Sequence, residues 1–318
     1  MINIAVMGLG KISDRVISGI LEAKGANLYM LVSRDLDKAS ILAKKYQAEK
    51  FGDINDLYND NNVDLVYICT PNKVHYQNII DCLNNGLHVI CEKPMLSNKE
   101  ELIKVFNLAK KNNLFIMEAE KTFFTELNQE VLKKVNDGII GDLLSIKANY
   151  DYIIGYDKIN PNHFVFDPKT GGSLKDVGVY PICFALMFSN KSNFRIINGI
   201  NHIPSNFKVD FYTNLTLEFD NNIIANIQSS FYHQDEVKGY GYLYGTKGFI
   251  KIPEFWKGNK YQVFIDNKLE NHVVNQKSDF KGQIEHAVNC IEKGLNESPY
   301  FDLDLHLKFI EIYDYFTL

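Results

Sequence analysis

The sequence has 318 residues, of which 46% are hydrophobic and 23% are charged. A chain of this length can bury a large core and is expected to form two domains, at ~100–200 residues per domain. Its net charge is −5, and no run of lysine or arginine alternates with aromatic residues, which argues against a nucleic-acid partner. No apolar run approaches the ~20 residues of a membrane-spanning helix, so we expect no membrane partner.

The amino terminus and the cysteines bear on where the protein works. After Met1 the chain reads INIAVMGLG, a strand and a turn, which leaves no room for a secretory leader, so we expect a cytoplasmic protein. The cysteine count is odd and the spacing is wide, which disfavours a disulfide framework or a zinc site. We therefore interpret the cysteines as mostly buried thiols and expect no bound metal. They are Cys69, Cys82, Cys91, Cys183 and Cys290.

A glycine-rich turn follows the first strand. The apolar segment Ile2–Met7 predicts a buried parallel strand, and Gly8-Leu9-Gly10-Lys11-Ile12-Ser13 follows it directly. This order matches the dinucleotide-binding fingerprint, with a tight turn at Gly8, close approach of backbone to pyrophosphate at Gly10, and helix packing at Ser13. The helix predicted over 13–23 would direct its first N–H groups at the phosphates.

The end of the second strand, predicted over 27–32, indicates which coenzyme is bound. NAD-selective folds carry an acidic residue there, ~20 residues past the glycines, for the ribose hydroxyl. This chain has Ser33 and Arg34 instead, and a guanidinium suits a 2′-phosphate. We predict NADP, with NAD as the alternative because Asp35 follows at once. A solvated charge at the start of the next helix is the alternative interpretation of Arg34.

Strands and helices alternate through the first half, which predicts a doubly wound parallel sheet, that is, an α/β Rossmann domain over residues 1–120. A strand over 64–69 ends in Thr70-Pro71-Asn72, and we expect that loop to lie over the cofactor. His75 and Gln77 open the next helix, with a solvated helix start as the alternative interpretation of each. A strand over 87–91 delivers Glu92-Lys93-Pro94 to the edge of the sheet where chemistry gathers.

The second half, residues 121–318, predicts an α+β domain with a large, mostly antiparallel open sheet. Candidate strands follow one another without helices between them, apart from a helix that carries Gly171 to Pro181. One face of this sheet should be open and rich in aromatic residues, so we expect a homodimer to form there. The aromatic residues we assign to that face are Phe207, Phe211, Tyr212, Phe219, Phe231 and Tyr232.

The ordered set of motifs resembles one family. The glycine loop, Tyr67-Ile68-Cys69-Thr70-Pro71-Asn72, Glu92-Lys93-Pro94, Met117-Glu118-Ala119, the segment 171–181 (GGSLKDVGVYP) and Tyr244-Gly245-Thr246-Lys247-Gly248 occur in this order. Together they resemble the glucose-fructose oxidoreductase, inositol dehydrogenase and rhizopine catabolism (Gfo/Idh/MocA) family. The branch most similar to this chain contains the dimeric dihydrodiol dehydrogenases and the NADP-linked xylose dehydrogenases.

This resemblance implies roles for three residues. Lys93 matches the lysine of the Glu-Lys-Pro motif, Asp176 the substrate-site aspartate, and Tyr180 the tyrosine that transfers a proton. Free tyrosine titrates near ~10, so its phenolate needs a nearby ammonium, which Lys93 would supply. Whether Lys93 or Tyr180 transfers the proton stays open. The set expected to bind the cofactor is Gly8, Gly10, Lys11, Ile12, Ser33, Arg34, Thr70, Pro71, Asn72, His75, Glu92 and Lys93.

The chain departs from the family pattern after Ala119. Family members commonly have an aromatic residue and then an arginine there, whereas this chain has Lys121 and Phe123. We predict that Lys121 lies near the substrate and favours a polar or anionic one; a surface lysine is the alternative. Proline at position 181 suits only a first helical turn, so the helix around Asp176 is expected to kink or to begin after it.

These features predict an NADP-dependent oxidoreductase that transfers a hydride to or from a sugar, polyol or cyclic diol. One alternative is a nucleotide-binding regulator, against which the joint presence of Lys93, Asp176 and Tyr180 argues. The other is the family's NAD-dependent glycosidase branch, against which Ser33 and Arg34 argue. The sequence does not identify the substrate or the direction of the reaction.

Overall fold

The structure is a computed structural model that describes residues 1–154 and 163–316. The chain divides into two compact units, one formed by Met1–Phe124 and Ser278–Leu307, the other by Thr125–Lys277 and Lys308–Leu318. Residues 278–307, which the predicted boundary assigns to the second domain, therefore pack in the first unit. That residues 1–120 and 121–318 form separate domains stays a prediction.

The strands follow in chain order. They are β1 (Ile2–Met7), β2 (Ala26–Val32), β3 (Lys50–Gly52), β4 (Leu65–Ile68), β5 (His88–Cys91), β6 (Ile116–Glu118), β7 (Leu143–Asp151), β8 (Phe194–His202), β9 (Tyr212–Phe219), β10 (Ile224–Ser230), β11 (Tyr240–Gly245), β12 (Gly248–Pro253), β13 (Lys260–Ile265) and β14 (Lys268–Val273).

The α-helices are interspersed among these strands. They are α1 (Ser13–Glu22), α2 (Leu36–Tyr46), α3 (Ile54–Tyr58), α4 (His75–Asn84), α5 (Lys99–Lys111), α6 (Glu126–Asn136), α7 (Val179–Phe188), α8 (Lys281–Glu292) and α9 (Leu303–Tyr315).

The first unit is built on a parallel six-stranded sheet in the order β3-β2-β1-β4-β5-β6. This is the Rossmann order, and it confirms the predicted doubly wound sheet. β1, β4 and β5 are almost continuous apolar runs because helices cover both faces of such a sheet. The strand order reverses between β1 and β4, where such sheets bind nucleotides beyond the strands' carboxyl ends.

The second unit contains an eight-stranded sheet in the order β14-β13-β12-β11-β7-β10-β9-β8. Neighbouring strands are antiparallel except β7 and β10, which run parallel. This confirms the prediction of a mostly antiparallel sheet. Helix α7 packs on this sheet, and apart from the half-buried Tyr180 all its residues are buried. The strands predicted for this half lie over 143–152, 193–203, 207–219, 222–232, 240–244, 248–252 and 261–265. They leave out the edge strand β14, because its side chains are mostly exposed and show no alternation of polar and apolar residues.

The assignment of aromatic residues to the open face of this sheet was wrong. Phe211, Phe219 and Phe231 are buried, and Phe207 and Tyr232 pack against the same core cluster. Tyr212 alone lies on the outer face, where the residues of β9 are half-buried. The error has a simple cause, because aromatic content does not reveal which parity of a strand points inward. The aromatic residues of the open face are instead Tyr240, Tyr242, Tyr244, Phe249 and Phe264, on β11, β12 and β13.

Two findings concern membranes and thiols. None of the helices within residues 1–154 and 163–316 combines the length and apolar character that crossing a bilayer requires. All five cysteines are buried thiols, as predicted.

Candidate functional site

The glycine loop joins β1 to α1 in the form that the fingerprint predicts. Gly8 has a φ of +93°, and a Cβ there would lie 2.9 Å from the backbone of Cys69 and Thr70, so the loop after β4 can approach only a glycine. The Ser13 hydroxyl, which is buried, donates to the carbonyl oxygen of Gly10 (2.7 Å). The close packing at Gly8 and the hydrogen bond at Gly10 together fix the conformation of the turn.

The start of α1 can receive an anion. No side chain caps this helix at Ile12. A Cβ on Gly10 would meet no atom within 4 Å, and Lys11 beside it is exposed. The first N–H groups and the dipole of the helix favour a phosphate at such an end. The predicted residues therefore fit a dinucleotide diphosphate.

The residues after β2 differ in what they are free to bind. Asp35 caps α2, since its Oδ1 accepts a hydrogen bond from the Lys38 N–H (2.9 Å). The Ser33 hydroxyl oxygen accepts from the Asp35 N–H (3.0 Å). Arg34 lies exposed between them. Asp35, the acidic residue that would favour NAD, thus already caps α2, whereas the Arg34 guanidinium is exposed to solvent.

His75 connects the loop after β4 to the segment after β5. Its ring is fully buried, with Nε2 2.8 Å from the Thr70 carbonyl oxygen and Nδ1 3.2 Å from that of Pro94. The Thr70 hydroxyl in turn accepts from the Asn78 side chain (2.8 Å). Burial lowers the pKa of His75. The alternative of a solvated histidine is therefore wrong, while Gln77 is exposed.

Glu92 and Lys93 leave the sheet at the end of β5, and the Lys93–Pro94 peptide bond is cis. The Tyr67 hydroxyl donates to Oε1 of Glu92 (2.9 Å), and the Gln283 side chain donates to the Tyr67 oxygen (2.8 Å). Burial raises the pKa of the Glu92 carboxyl, and the Lys93 charge opposes that rise. The hydrogen bonds of Tyr67 and Gln283 thus fix the Glu92 carboxyl. Lys93, the next residue, is half-buried.

Lys121 is buried, with 3% of its surface exposed, so the alternative of a surface lysine is wrong. Its ammonium donates to the carboxylate of Asp279, which also accepts from the Arg15 guanidinium on α1. Both cations lie about 5 Å from the centre of the Phe280 ring. Burial lowers the pKa of Lys121 to about 8. Its predicted contact with substrate stays a prediction.

Phe123, which occupies the position of the family's arginine, is buried and packs edge-on against Phe301 at 5.7 Å. The partners Asp279, Gln283 and Phe301 come from the segment 278–307. Sequence analysis missed them because they lie more than 150 residues from the groups that they contact and belong to no motif.

In the second unit, Asp176 and Tyr180 lie on either side of a change in helix type. Residues Leu174–Gly178 form a π-helical turn, and α7 begins only at Val179, so Pro181 occupies its first turn. Of the two predicted alternatives, a kinked helix or a later start, the structure shows an α-helix that starts after Asp176. π-turns of this kind are frequent at functional sites.

Aromatic side chains surround these two residues. The Tyr152 hydroxyl donates to Oδ2 of Asp176 (3.1 Å). The ring of Tyr180 lies 5.5 Å from that of Tyr150 and 6.0 Å from that of Trp256, and the last two rings stack at 3.8 Å. Sequence analysis missed all three neighbours. The signal was available, since Trp256 is the chain's single tryptophan, and Tyr150 and Tyr152 are two residues apart in the strand predicted over 143–152 and so would share one face of it.

Asp210 fixes the start of the π-turn. Its Oδ2 accepts hydrogen bonds from the Ser173 hydroxyl (2.5 Å), the Leu174 N–H (2.8 Å) and the Thr213 hydroxyl (3.1 Å). The Asp176 N–H donates to the Gly172 carbonyl oxygen (2.9 Å). The backbone that carries Asp176 is therefore anchored from a neighbouring loop, which sequence analysis did not identify.

The first unit thus groups the glycine loop, Arg34, the His75 loop and Lys93, and the second unit groups Asp176 with Tyr180. A glycine loop of this form at the switch point of a sheet of this order defines the chain as a dinucleotide-binding protein. Within residues 1–154 and 163–316, no cluster of three or more His, Cys, Asp or Glu side chains is arranged to hold a metal ion.

Comparison with known proteins gives the class. An oxidoreductase family with an NAD-binding Rossmann fold matches residues 2–120, and the GFO/IDH/MocA C-terminal domain matches residues 128–251. A scyllo-inositol 2-dehydrogenase (NADP(+)) IolU of Bacillus subtilis (strain 168) is 33% identical over 307 residues, which cover 94% of this chain and 90% of that protein. The chain belongs to the Gfo/Idh/MocA family and is an NAD(P)-dependent oxidoreductase, which confirms the predicted family and enzyme class.

Two further similarities span nearly the whole chain. A trans-1,2-dihydrobenzene-1,2-diol dehydrogenase of Xenopus tropicalis is 26% identical over 309 residues, covering 94% of this chain and 92% of that protein. The crystal structure of aldose-aldose oxidoreductase from Caulobacter crescentus, complexed with glycerol, superposes with a TM-score of 0.87 at 22% identity, covering 99% of this chain and 96% of that one.

The shared carboxylate of Asp279 makes a prediction about stability. Asp279→Asn leaves Lys121 and Arg15 without their common anion, so we expect the free energy of unfolding at pH 7 to fall by roughly 3 kcal/mol. Lys121→Met leaves Asp279 paired with Arg15 and should cost only about 1 kcal/mol. Urea denaturation followed by circular dichroism measures both. Equal losses in the two variants would show that Asp279 does not serve both cations.

Proposed function

We propose that this oxidoreductase is NADP-dependent and transfers a hydride between the nicotinamide and a hydroxyl or carbonyl group of a sugar, polyol or cyclic diol. The observation that carries the proposal is the grouping of Asp176 and Tyr180 with the stacked rings of Tyr150 and Trp256. A carboxylate and a phenol beside aromatic faces suit a ring that carries hydroxyl groups, because its apolar faces pack on the aromatics while its hydroxyls find acid–base partners.

Two similar proteins support the substrate class. One is named for an inositol and NADP(+), the other for a cyclic diol. For the coenzyme, the proposal rests on Arg34, since a planar guanidinium at the end of β2 can bind a 2′-phosphate bidentately while Asp35 serves as a helix cap.

In the proposed mechanism each residue has a separate task. The bound nicotinamide supplies the hydride chemistry. Tyr180 or Lys93 takes the hydroxyl proton during oxidation and returns it during reduction. The Lys93 ammonium favours the phenolate form of a tyrosine and stabilises negative charge on the reacting oxygen. Asp176, held by Tyr152, orients a substrate hydroxyl. Gly8, Gly10, Lys11 and Ile12 would hold the diphosphate, with Ser33 and Arg34 on the ribose side.

The loops after β4 and β5 complete the proposed cofactor site. Thr70, Pro71 and Asn72 would lie over the coenzyme, and Glu92 would orient Lys93. The contacts of His75 support a different role from the predicted one, because its ring spans the two loops through backbone carbonyls. The buried ion pair of Lys121 with Asp279 likewise supports a structural role for that lysine.

We also propose a homodimer that forms through the open face of the eight-stranded sheet. Five half-buried or exposed aromatic residues lie there, and their rings pair along the strands, Tyr242 with Tyr244 at 5.8 Å and Phe249 with Phe264 at 5.1 Å. A contiguous aromatic surface of this kind is typical of association sites. Cytoplasmic location stays a prediction.

The function can be tested by following NADP reduction with a panel of aldoses, inositols, sugar acids and trans-diols. We expect turnover of at least one class, and we expect Lys93→Met and Tyr180→Phe each to lower kcat on the order of 10²–10⁴-fold, because each removes an acid–base or charge-stabilising group. NADPH affinity, measured by fluorescence titration, should change by less than about threefold. Lys104→Met and Tyr300→Phe serve as matched controls at exposed positions. Near-normal rates in both site variants would contradict the assignment.

The choice of coenzyme gives a second test. Arg34→Ala should weaken NADPH binding about 10- to 100-fold and leave NADH binding within about twofold, because only NADPH carries the phosphate. Isothermal titration calorimetry on the protein measures both affinities, with Lys44→Ala as a control on the exposed side of α2. Wild-type protein that binds NADH as tightly as NADPH would refute the NADP proposal.

The oligomeric state gives a third test. Sedimentation velocity at micromolar concentration should show a species of twice the chain's mass. Phe249→Glu places a charge in the aromatic surface and should shift that species to the monomer, since burying an unpaired charge is costly. Ile41→Glu, at an exposed apolar position on α2, should leave it unchanged. A wild-type protein that sediments only as a monomer would rule out this association.

A further inference from the structure

Glu120 lies at the carboxyl end of β6, beside the segment that carries Lys93. In the parallel register of β5 and β6, Cys91 is opposite Glu118, and the Ala119 N–H donates to the Cys91 carbonyl oxygen (2.7 Å). The segments that follow β5 and β6 therefore leave the sheet side by side, and continuing the register would place residue 93 opposite residue 120. No motif in the sequence singles out Glu120.

The carboxyl of Glu120 is buried and only half satisfied. The residue has no exposed surface. Its Oε1 accepts a hydrogen bond from the Thr122 N–H (2.9 Å), and the Thr122 side chain also lowers the pKa of the carboxyl. Its Oε2 has no hydrogen-bond partner among the described residues. A buried acceptor without a partner costs free energy, so its presence in a native protein calls for a structural or functional explanation.

The charged groups around Glu120 indicate which cation its Oε2 atom could bind. Of the two nearby ammonium groups, that of Lys121 already donates to the Asp279 carboxylate, which the Arg15 guanidinium shares. The other belongs to Lys93, and its charge lowers the pKa of Glu120. Glu118 acts in the opposite direction, and its Oε2 lies 3.0 Å from Nε2 of His306. Glu92, at the end of β5, accepts from Tyr67. Lys93 is therefore the candidate cation for the Oε2 atom, which lacks a hydrogen-bond partner in the part of the chain that the structure describes.

We propose that Glu120 is a positioning residue for Lys93: its Oε2 accepts a hydrogen bond from the ammonium, directly or through one water molecule, and holds the lysine toward the reacting oxygen. This inference rests on the proposed function. Glu120 acts through Lys93 and touches neither substrate nor coenzyme.

The proposal makes activity depend on pH. Burial raises the pKa of Glu120 to about 7. Above that pH the carboxylate is ionised and binds the ammonium strongly, and below it the neutral acid binds the ammonium weakly. The positioning of Lys93, and kcat with it, is therefore expected to decline as the pH falls through about 7.

The test compares Glu120→Gln with the wild type. We expect kcat at pH 8 to fall about 10- to 100-fold, with KM and NADPH affinity within about twofold, and the decline of kcat between pH 8 and pH 6 to disappear. Glu120→Asp retains the charge and should retain that decline. Glu118→Gln removes a neighbouring buried carboxylate that raises the pKa of Glu120, so it should retain the decline with its midpoint at a lower pH.

A second measurement needs no substrate. In protein labelled with ¹³C at the glutamate carboxyl, the signal that Glu120→Gln abolishes should titrate with a midpoint near 7. Lys93→Met removes the cation and should raise that midpoint, whereas Lys104→Met, at an exposed site, should not.

The outcomes separate this inference from the proposed function. An active wild type whose kcat and pH profile survive Glu120→Gln would overturn the positioning role alone. A tenfold loss of NADPH affinity with unchanged kcat would overturn it too and make Glu120 a coenzyme ligand. If no substrate in the panel reacts but Lys93→Met still raises the midpoint, the proposed function fails and the contact between the two side chains stands.

Discussion

Charges buried at the carboxyl edge of the first sheet must be compensated inside the protein, and the arrangement of the first unit follows from that constraint. Three of these groups are Glu92, Glu118 and Lys121, which follow or end strands β5 and β6. Each is met from the same distant stretch of chain, residues 278–307: Gln283 acts on Glu92 through Tyr67, His306 faces Glu118, and Asp279 binds Lys121. Removing one member of such a set leaves the other buried and unpaired, which costs more than the pair itself contributes.

The same stretch links this compensation to the coenzyme side of the sheet. Asp279 also binds Arg15, on the helix that starts at the glycine loop. A charge network therefore runs from the helix expected to face the diphosphate to the segment after β6. His75 makes a second connection of this type, through backbone carbonyls of the loops after β4 and β5. Buried polar contacts thus hold the loops after β4 and β5 and the segment after β6 in place. A preorganised site requires such support.

Local patterns in the sequence were sufficient for most of the architecture. Apolar runs and alternation placed nearly all the strands and helices, and ordered motifs identified the family, because both signals depend on near neighbours in the chain. Contacts at long range were not available in this way. The partners of Lys121 and Glu92, the capping of the 173–178 segment by Asp210, and the inward direction of Phe211 depend on how distant segments meet. Glu120 belongs to no sequence pattern, and only the structure shows that its Oε2 has no hydrogen-bond partner within residues 1–154 and 163–316.

The discontinuity of the first unit also bears on how the protein is made. Its sequence is interrupted after Phe124 and resumes at Ser278, so everything between is synthesised before the unit can be completed. A nascent chain that has emerged only as far as Phe124 exposes Glu92, Glu118 and Lys121 without their partners from residues 278–307. The second unit, by contrast, has almost its entire sequence in one stretch and can begin to fold on the ribosome while the first still waits for its last helices. Shortened chains that end near residue 124 would therefore lack the part that makes the nucleotide-binding half stable.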